Sequence, residues 1–292
     1  LMIKIKVPAT SANIGPGFDS LGLALDLFLT LEIHEATTTW QVIHEEPDLP
    51  HDITHFIVQA ALTLTSNMQP HRLVVKSDIP LARGLGSSSA ALLAGLTMAN
   101  ILADLNLSPK EILKQATMLE GHPDNVAPAL LGGAISAYYD GHQVYNSSFH
   151  IPENIIFTVF IPDYELKTAE ARNALPDDFP FKKSIAGSAI SNTLIAALAN
   201  DDWQTAKQLI EKDQFHEQQR HHLVPHLLEI RHIAHQHDVL GTYLSGAGPT
   251  VITMAPENEA KILLPALTHL TTSGRTIQCH LNRAGLTITK EE

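Results

Sequence analysis

The sequence predicts a two-domain α+β protein, and three observations support that prediction. The chain has 292 residues, which exceeds one typical domain and suits two of modest size. Segments with strand and helix periodicity alternate along it without a strict βαβ rhythm. After a β-rich passage, the alternation starts again at residue 155. We therefore expect one domain over residues 1–154 and a second over residues 155–292.

The first predicted domain begins with a strand, because apolar and basic residues alternate over 2–7. The run 90–107 is apolar on nearly every side, which is typical of a buried helix. Ser108, followed by a proline and then an acid, is the start signal of the next helix, which contains Glu120. The other elements expected here are an extended segment, a helix, a strand and a β-rich passage, at 21–33, 55–66, 72–77 and 132–154.

The second predicted domain begins with the apolar strand 155–162. Strands near Thr242 and Val251 flank a Gly-rich turn, and a helix and final strands close the chain. Four helices are expected between these strands, one around Ala169 and the others over 184–200, 203–215 and 224–237.

Composition excludes several classes of function. The formal charge is −12 and no block of Lys and Arg is present, so we do not expect a nucleic acid as partner. No run of 18 apolar residues occurs, and the first residues lack the pattern of a secretion signal, so no membrane association is expected. Cys279 is the only cysteine, which rules out an intrachain disulfide and favours a reducing compartment. We expect a cytoplasmic protein.

The strongest local signal is the loop 80–90, which reads PLARGLGSSSA. Its glycines allow a tight turn and a close approach of the backbone to a ligand. The serines and the start of the following helix offer N–H donors, hydroxyls and the positive end of a helix dipole, which together suit phosphate oxygens. The Gly-Lys-Ser/Thr ending of a Walker A loop is absent. A Ser-capped buried helix behind a flexible loop is the alternative interpretation.

Two further glycine-rich segments are less specific. The first, 8–19, holds Asn13 and Asp19, which could face a ligand or could stabilise a turn through their own backbone. The second, 241–250, reads GTYLSGAGPT and fits a tight loop between strands equally well.

Taken together, these segments resemble those of the GHMP kinase superfamily of small-molecule kinases, and in detail its homoserine branch. The resemblance lies in PATSANIGPGFDSLGLAL, EGHPDNVAP and LSGAGPTV, and it spans nearly the whole chain. The galactokinase substrate signature is missing. The resemblance implies an N-terminal ATP-binding domain with a left-handed βαβ crossover, joined to a ferredoxin-like C-terminal domain. It also implies a homodimer.

The same resemblance implies a set of site residues. Ser88 and Glu120 would hold Mg²⁺, an ion that usually takes only one or two protein carboxylates beside the phosphates. The amino-acid substrate would be bound by polar and charged side chains, namely Asn13, Asp19, Asn125, Thr168, Arg172 and Arg220. ATP would be bound by the glycine-rich loop, namely Pro80, Leu81, Ala82, Arg83, Gly84, Leu85, Gly86, Ser87, Ser88, Ser89 and Ala90.

The implied reaction is transfer of the γ-phosphoryl group of ATP to the hydroxyl of L-homoserine. Related kinases for galactose and mevalonate have a carboxylate where this chain has Asn125, and an amide cannot act as a base at neutral pH. Catalysis would therefore rest on alignment by Asp19 and Asn125, with charge stabilised by Ser88, Mg²⁺ and the helix dipole. Asp19 as a base is left open. The alternatives are a kinase for a mevalonate-type alcohol and a nucleotide-binding module without turnover.

The 17 histidines raise the question of a metal site. The segment 215–221 nearly matches a zincin helix, but its second histidine falls at i+5 where i+4 is required. His222 and His226 have helical spacing, yet Pro225 lies between them. We expect a solvated, partly interfacial histidine-rich surface here rather than a metal site.

Overall fold

The computed structural model describes residues 2–291, and its strands form two sheets. The strands are, in chain order, β1 (Met2–Ala12), β2 (Leu21–Ala36), β3 (Gln41–Ile43), β4 (His71–Ser77), β5 (Ala134–Tyr139), β6 (Val144–Phe149), β7 (Ile155–Pro162), β8 (Gly241–Leu244), β9 (Val251–Pro256), β10 (Gly274–Cys279) and β11 (Thr287–Glu291).

Helices fill the intervals between these strands. The α-helices are α1 (Phe56–Leu64), α2 (Ser87–Leu102), α3 (Pro109–Glu120), α4 (Val126–Leu131), α5 (Thr168–Asn173), α6 (Phe181–Ala199), α7 (Trp203–Leu209), α8 (Glu217–Arg220), α9 (His226–Ala234) and α10 (Glu257–Ala266), and a short 3₁₀ helix spans Leu267–His269. No helix in the described part of the chain is both long enough and apolar enough to cross a membrane.

The first sheet has seven strands, with the order β11-β1-β2-β4-β3 and a branch through β5 and β6. The branch forms because β2 is 16 residues long and pairs with β5 near its start and with β4 near its end. β3 and β4 are parallel, whereas the other pairs of this sheet are antiparallel.

The second sheet has four antiparallel strands in the order β10-β7-β9-β8. Helices lie between β7 and β8 and between β9 and β10, so the chain runs βαββαβ. This is the ferredoxin-like arrangement expected for the C-terminal half. The sheet begins at Ile155, while the last strand of the chain pairs with β1 in the first sheet. The division at 154 stays a prediction.

Helix α2 lies at the centre of the first sheet's core, against α1 and β1. Ten of its 16 residues are buried, as its apolar sequence predicts. A Cβ atom at Gly95 would lie 2.3 Å from the carbonyl oxygen of Ile57, so glycine permits the close approach of α1. α3 begins with the expected signal, because Ser108 and Glu111 form a reciprocal capping box. This packing directs the first turn of α2 towards the cleft described below.

Three expectations about local structure are wrong. β1 continues to Ala12 because it pairs with β2 as far as Gly22, so the turn begins at Asn13 rather than after residue 7. The helix expected over 203–215 ends at Leu209. The histidine-rich segment is not a solvated surface throughout, since His216 and His226 are buried among apolar and aromatic side chains.

Candidate active site

A cleft brings together residues from six separate parts of the chain. It is lined by residues within 13–19, 82–89, 120–125 and 168–172, by Arg220, and by Gly246 with Ala247. An adjoining cavity of about 670 Å³ shares Ser88, Glu120 and Arg172 with it and extends along α1. Pro80, Leu81 and Ala90 lie outside the lining of the cleft.

The glycine-rich loop ends at Gly86, which is the N-cap of α2 and has a φ of 69°. No side chain caps this helix, so the alternative of a Ser-capped helix is wrong. A Cβ atom at Gly86 would lie 2.0 Å from Oγ1 of Thr10, so only glycine fits there without displacing Thr10. Uncapped N–H groups at the start of a 16-residue helix are a suitable binding site for phosphate oxygens.

The guanidinium of Arg83 is held by backbone carbonyl groups and one acid. It donates to the carbonyl oxygens of Leu81, Pro162 and Asp163, at 3.1, 3.0 and 2.7 Å, and pairs with Glu165 at 3.3 Å. These bonds tie the loop to β7. They also occupy most of the donors of the Arg83 guanidinium.

Glu120 ends α3 and faces the cleft beside the start of α2. The hydroxyl of Ser89 donates to its carboxylate at 2.9 Å, while Ser88 lies next to it in the lining. Burial raises the pKa of Glu120, and no basic group within residues 2–291 forms an ion pair with it. A half-buried carboxylate with a spare oxygen and no cationic partner suits a hard divalent cation such as Mg²⁺.

A second group of possible ligands lies near Glu120. One atom each of Asp19, His122 and Asp124 falls within 4.8 Å of the others. These groups already have partners, because His122 is bonded to Asp124 at 2.5 Å and Asp19 is paired with Arg172. Burial lowers the pKa of His122, but the hydrogen bond to Asp124 and the charges of Asp124 and Asp19 together outweigh it, so the pKa is raised. Glu120 therefore fits a cation better than this group does.

Asn125 is held in one orientation by two hydrogen bonds. Its Oδ1 accepts from the hydroxyl of Thr10 at 2.7 Å, and its Nδ2 donates to Asp124 at 3.3 Å. Asn125 thus lies between the strand β1 and the turn that follows α3, beside the start of α2. Its side chain lines the cleft as a fixed amide.

Asn13 and Asp19 form a turn and also face the cleft. Both have positive φ, 75° and 54°, and Oδ1 of Asn13 accepts from the backbone N–H of Asp19 at 3.0 Å. Nδ2 of Asn13 donates to the carbonyl oxygen of Gly246 at 2.9 Å, which joins this turn to the Gly-rich loop between β8 and β9. Asn13 and Asp19 therefore stabilise the turn and also line the cleft, so the two interpretations of these residues are compatible.

The two predicted carboxylate-binding arginines differ sharply. Arg172, on α5, makes a bidentate ion pair with Asp19 at 3.1 Å and 2.9 Å, and its side chain is 40% exposed. Arg220, on α8, is 2% exposed and donates to the carbonyl oxygens of Ala171 and Gly246 and to His216. Thr168 begins α5 and lines the cleft beside Arg172.

Arg220 is a buried cation without an acidic partner. No carboxylate of the described chain forms an ion pair with it, and its Nη2 has no hydrogen bond among residues 2–291. Burial, together with the nearby charge of Arg172, lowers the pKa of Arg220 to about 10. An unpaired buried charge is costly, so the site favours an anionic ligand at this position.

Three residues of the site were not singled out from the sequence, and Ser89, predicted only to bind ATP, has a further contact. Ser89 donates to Glu120, and Thr10 holds Asn125. The ring of Phe18 lies beneath both arginines, and His216 stacks against it. Phe18 and Thr10 belong to the PATSANIGPGFDS segment, whose composition was the available signal, whereas nothing in the sequence places His216 next to them.

Known proteins resemble this chain along its whole length. The family model of the GHMP kinases N-terminal domain matches residues 55–133, and that of the GHMP kinases C-terminal domain matches residues 194–269. A homoserine kinase of Leuconostoc mesenteroides is 62% identical over 290 residues, which cover 99% of both chains.

Solved structures agree with these sequence relatives. The crystal structure of homoserine kinase from Cytophaga hutchinsonii has a TM-score of 0.85 at 25% identity, covering 99% of this chain and 97% of that one. A mevalonate kinase of L. major in complex with R-mevalonate has a TM-score of 0.73 at 17% identity, covering 97% and 96%, and shows the likeness of fold alone. The relatives therefore support homoserine over a mevalonate-type alcohol, and the predicted two-domain fold is confirmed. The chain belongs to the GHMP kinases and, among them, to the homoserine kinase family.

Proposed function

We propose that this protein transfers the γ-phosphoryl group of ATP to the side-chain hydroxyl of L-homoserine, a step in threonine biosynthesis. The observation that supports this most directly is Arg220, which is buried in the same cleft as the glycine-rich loop and forms no ion pair with a carboxylate of the described chain. A buried guanidinium is suited to a planar carboxylate, which it can bind with two parallel hydrogen bonds. The acceptor is therefore an alcohol that also carries a carboxylate.

Among alcohols that carry a carboxylate, the Asp19–Arg172 ion pair favours an amino acid as the acceptor. L-Homoserine carries an ammonium and a carboxylate, and both would enter the space where this pair lies. The ammonium would bind Asp19 in place of Arg172, and the carboxylate would bind Arg172 and Arg220. An alcohol with a carboxylate and no ammonium, such as mevalonate, would leave the charge of Asp19 unpaired, which opposes its binding.

On the other side of the cleft, the glycine-rich loop and the first turn of α2 would hold the triphosphate. Backbone N–H groups would bind its oxygens, and Ser88 would add a hydroxyl. Ser88 and Glu120 would hold Mg²⁺, and Ser89 keeps the Glu120 carboxylate in place. When bound, Mg²⁺ neutralises charge on the phosphates as the terminal phosphoryl group departs.

The residues of the chain would catalyse the reaction mainly by alignment. Asn125 is fixed by Thr10 and Asp124, so it can orient the acceptor hydroxyl without taking its proton. Asp19 holds the ammonium end of the acceptor, and the start of α2 stabilises the charge that develops on the transferred group. Phosphoryl transfer has a loose transition state, which needs positioning and charge stabilisation more than covalent help.

An ADP-release assay tests the function. The purified protein with MgATP should release ADP with L-homoserine and not with mevalonate or galactose. Preferential turnover of mevalonate would overturn the choice of acceptor. Tight ATP binding with no turnover of any alcohol would instead indicate a nucleotide-binding module without catalysis.

We further propose a homodimer in the cytoplasm. The homodimer follows from the resemblance to related kinases. The compartment fits a single cysteine, Cys279, which is buried in β10 and whose thiol pKa burial raises to about 12, so it is poorly reactive. Light scattering on the protein as it elutes from a gel-filtration column measures the oligomeric state. Cell fractionation measures the compartment.

A further inference from the structure

His216 is a fully buried histidine next to Arg220 on the acceptor side of the cleft, and the proposed function gives it no role. Its Nε2 lies 3.0 Å from the carbonyl oxygen of Gly15, and its Nδ1 lies 3.2 Å from Nη1 of Arg220. A carbonyl only accepts and a guanidinium only donates. In this geometry Nε2 donates its proton to Gly15, and Nδ1 accepts from Arg220.

The backbone around His216 is fixed as firmly as its ring. The buried carboxylate of Asp213 accepts from the N–H groups of Phe215, His216 and Glu217, at 3.1, 2.8 and 2.8 Å. These bonds hold the start of α8, whose last residue is Arg220. One face of the imidazole also stacks on Phe18, with ring centroids 5.2 Å apart. These contacts together fix the position of the His216 ring relative to Gly15 and Arg220.

Its two nitrogens contact two of the parts of the chain that form the acceptor side of the cleft. Through Gly15 the ring holds the turn that carries Asp19, and through Nδ1 it holds Arg220. Phe18 lies in that same turn, and the guanidinium carbons of Arg172 and Arg220 lie 5.8 Å and 5.5 Å from its ring centroid. His216 therefore fixes the distance between the groups that would bind the ammonium and the carboxylate.

We propose that His216 is a positioning residue for recognition of the amino-acid acceptor, an inference that rests on the proposed function. Its bare Nδ1 orients Arg220 so that the free Nη2 faces the cleft, and its Nε2 proton keeps the turn of Asp19 at the matching distance. His216 touches neither ATP nor the reacting atoms. Losing it should weaken L-homoserine binding and leave ATP binding and turnover at saturation nearly unchanged.

Two substitutions separate the two hydrogen bonds. His216→Asn keeps a carbonyl acceptor near the position of Nδ1, and we expect it to raise the KM for L-homoserine by less than about fivefold. His216→Gln keeps a donor near the position of Nε2 but removes the acceptor for Arg220. We expect it to raise that KM by about 10- to 100-fold, as for loss of a hydrogen bond to a charged group. In both, kcat and the KM for ATP should change by less than about twofold.

His226→Gln is the matched control, because His226 is equally buried and donates through Nε2 to the carbonyl oxygen of Pro249. It should leave the KM for L-homoserine within about twofold of wild type. If either His216 variant does not fold, Phe18→Leu removes the stacking partner from a less buried site and should raise the same KM by about two- to fivefold.

Five results would overturn the inference. Equal rises of both KM values would indicate a structural role only, as would a lowered melting temperature with an unchanged KM for L-homoserine. Asn and Gln variants with the same KM would show that the acceptor at Nδ1 does not orient Arg220. A wild-type protein that neither binds nor phosphorylates L-homoserine overturns the proposed function and this inference together, whereas normal wild-type activity with unaffected variants overturns this inference alone.

Discussion

The two sides of the cleft are built in opposite ways. The phosphate side is formed mainly by one continuous stretch of chain, 82–89, with Glu120 of α3 beside it, and it uses glycines at positive φ and the N–H groups at the start of α2. The acceptor side is assembled from a turn, two short helices and a loop between strands, and it uses charged side chains such as Asp19, Arg172 and Arg220. One side depends on backbone conformation and the other on contacts between distant residues.

This difference predicts which of the two substrates each substitution should affect. On the phosphate side a change of side chain should alter nucleotide and Mg²⁺ use. On the acceptor side it should alter amino-acid use and leave the KM for ATP in place. Thr10 and Asn125 lie where the two sides meet, since Gly86 is packed against both. The four predictions below test that separation, from the largest expected effect to the smallest.

Arg220→Met should give the largest loss on the acceptor side. The variant leaves the substrate carboxylate in a buried site without its cation, which costs about 3–5 kcal/mol, or about 10²- to 5 × 10³-fold in kcat/KM for L-homoserine. The KM for ATP should stay within about twofold. Because an unpaired buried charge is removed, the melting temperature should stay the same or rise, measured by calorimetry. A comparable loss for ATP would show that the two sides are not separate.

Glu120→Gln should give the largest loss on the phosphate side. An amide is a poorer ligand for Mg²⁺, so we expect kcat to fall on the order of 100-fold, with partial recovery as Mg²⁺ is raised. A titration of MgADP binding measures the same defect without turnover. The control is Glu111→Gln on the same helix, which weakens a capping box but should leave the Mg²⁺ dependence unchanged. Normal kinetics at ordinary Mg²⁺ would point to Asp19, His122 and Asp124 as the ligands instead.

Arg172→Ala should cost less than Arg220→Met, because Arg172 must leave Asp19 before it binds the substrate. The pair is also partly exposed, with side-chain exposures of 40% and 35%, so solvent weakens it. We expect a loss of about 10- to 30-fold in kcat/KM for L-homoserine, or about 1.5–2 kcal/mol. Arg172→Lys should recover only part of it, because a single ammonium cannot bind both carboxylate oxygens. An acceptor that lacks the carboxylate should respond little; equal losses for both acceptors would assign Arg172 to structure.

Asn125→Asp should give the smallest effect and tests catalysis by alignment. The new carboxylate would face that of Asp124, whose Oδ1 now accepts from Asn125 at 3.3 Å, and would repel the incoming phosphoryl group. We expect kcat to fall by roughly tenfold, or about 1.4 kcal/mol. A rise in kcat under saturating substrates would show that the native enzyme lacks a base, and the alignment mechanism would be wrong.

The contrast between the two sides also explains what the sequence could predict. The glycine-rich loop was located from the sequence because its residues are contiguous and its chemistry lies in the backbone. The capping box of Ser108 and Glu111 was found for the same reason. The resemblance of motifs identified Asp19, Arg172 and Arg220 as acceptor-binding residues. It did not predict that Asp19 and Arg172 form an ion pair. Asp19 and Arg172 are 153 residues apart, and only the packing of the two sheets brings them together.

The errors have a similar physical origin. The length of β1 is set by its partner β2, so a proline-containing segment that resembles a turn becomes strand. His216 and His226 are buried because their ring nitrogens find carbonyl partners in other segments, which local composition does not reveal. The contact between Ser89 and Glu120, which was not predicted, depends on how α2 packs against α3. Each of these features depends on tertiary contacts rather than on local propensity.

The pairing of β11 with β1 has a consequence for the order of folding. Residues 287–291 form β11 and cover one edge of β1, although they follow every strand of the second sheet in sequence. During synthesis β11 therefore emerges after all the other described strands, and until then β1 keeps an open row of N–H and C=O groups on that side. The second sheet lies wholly between them in sequence and can form first. The domain that is translated first is therefore the one that is completed last.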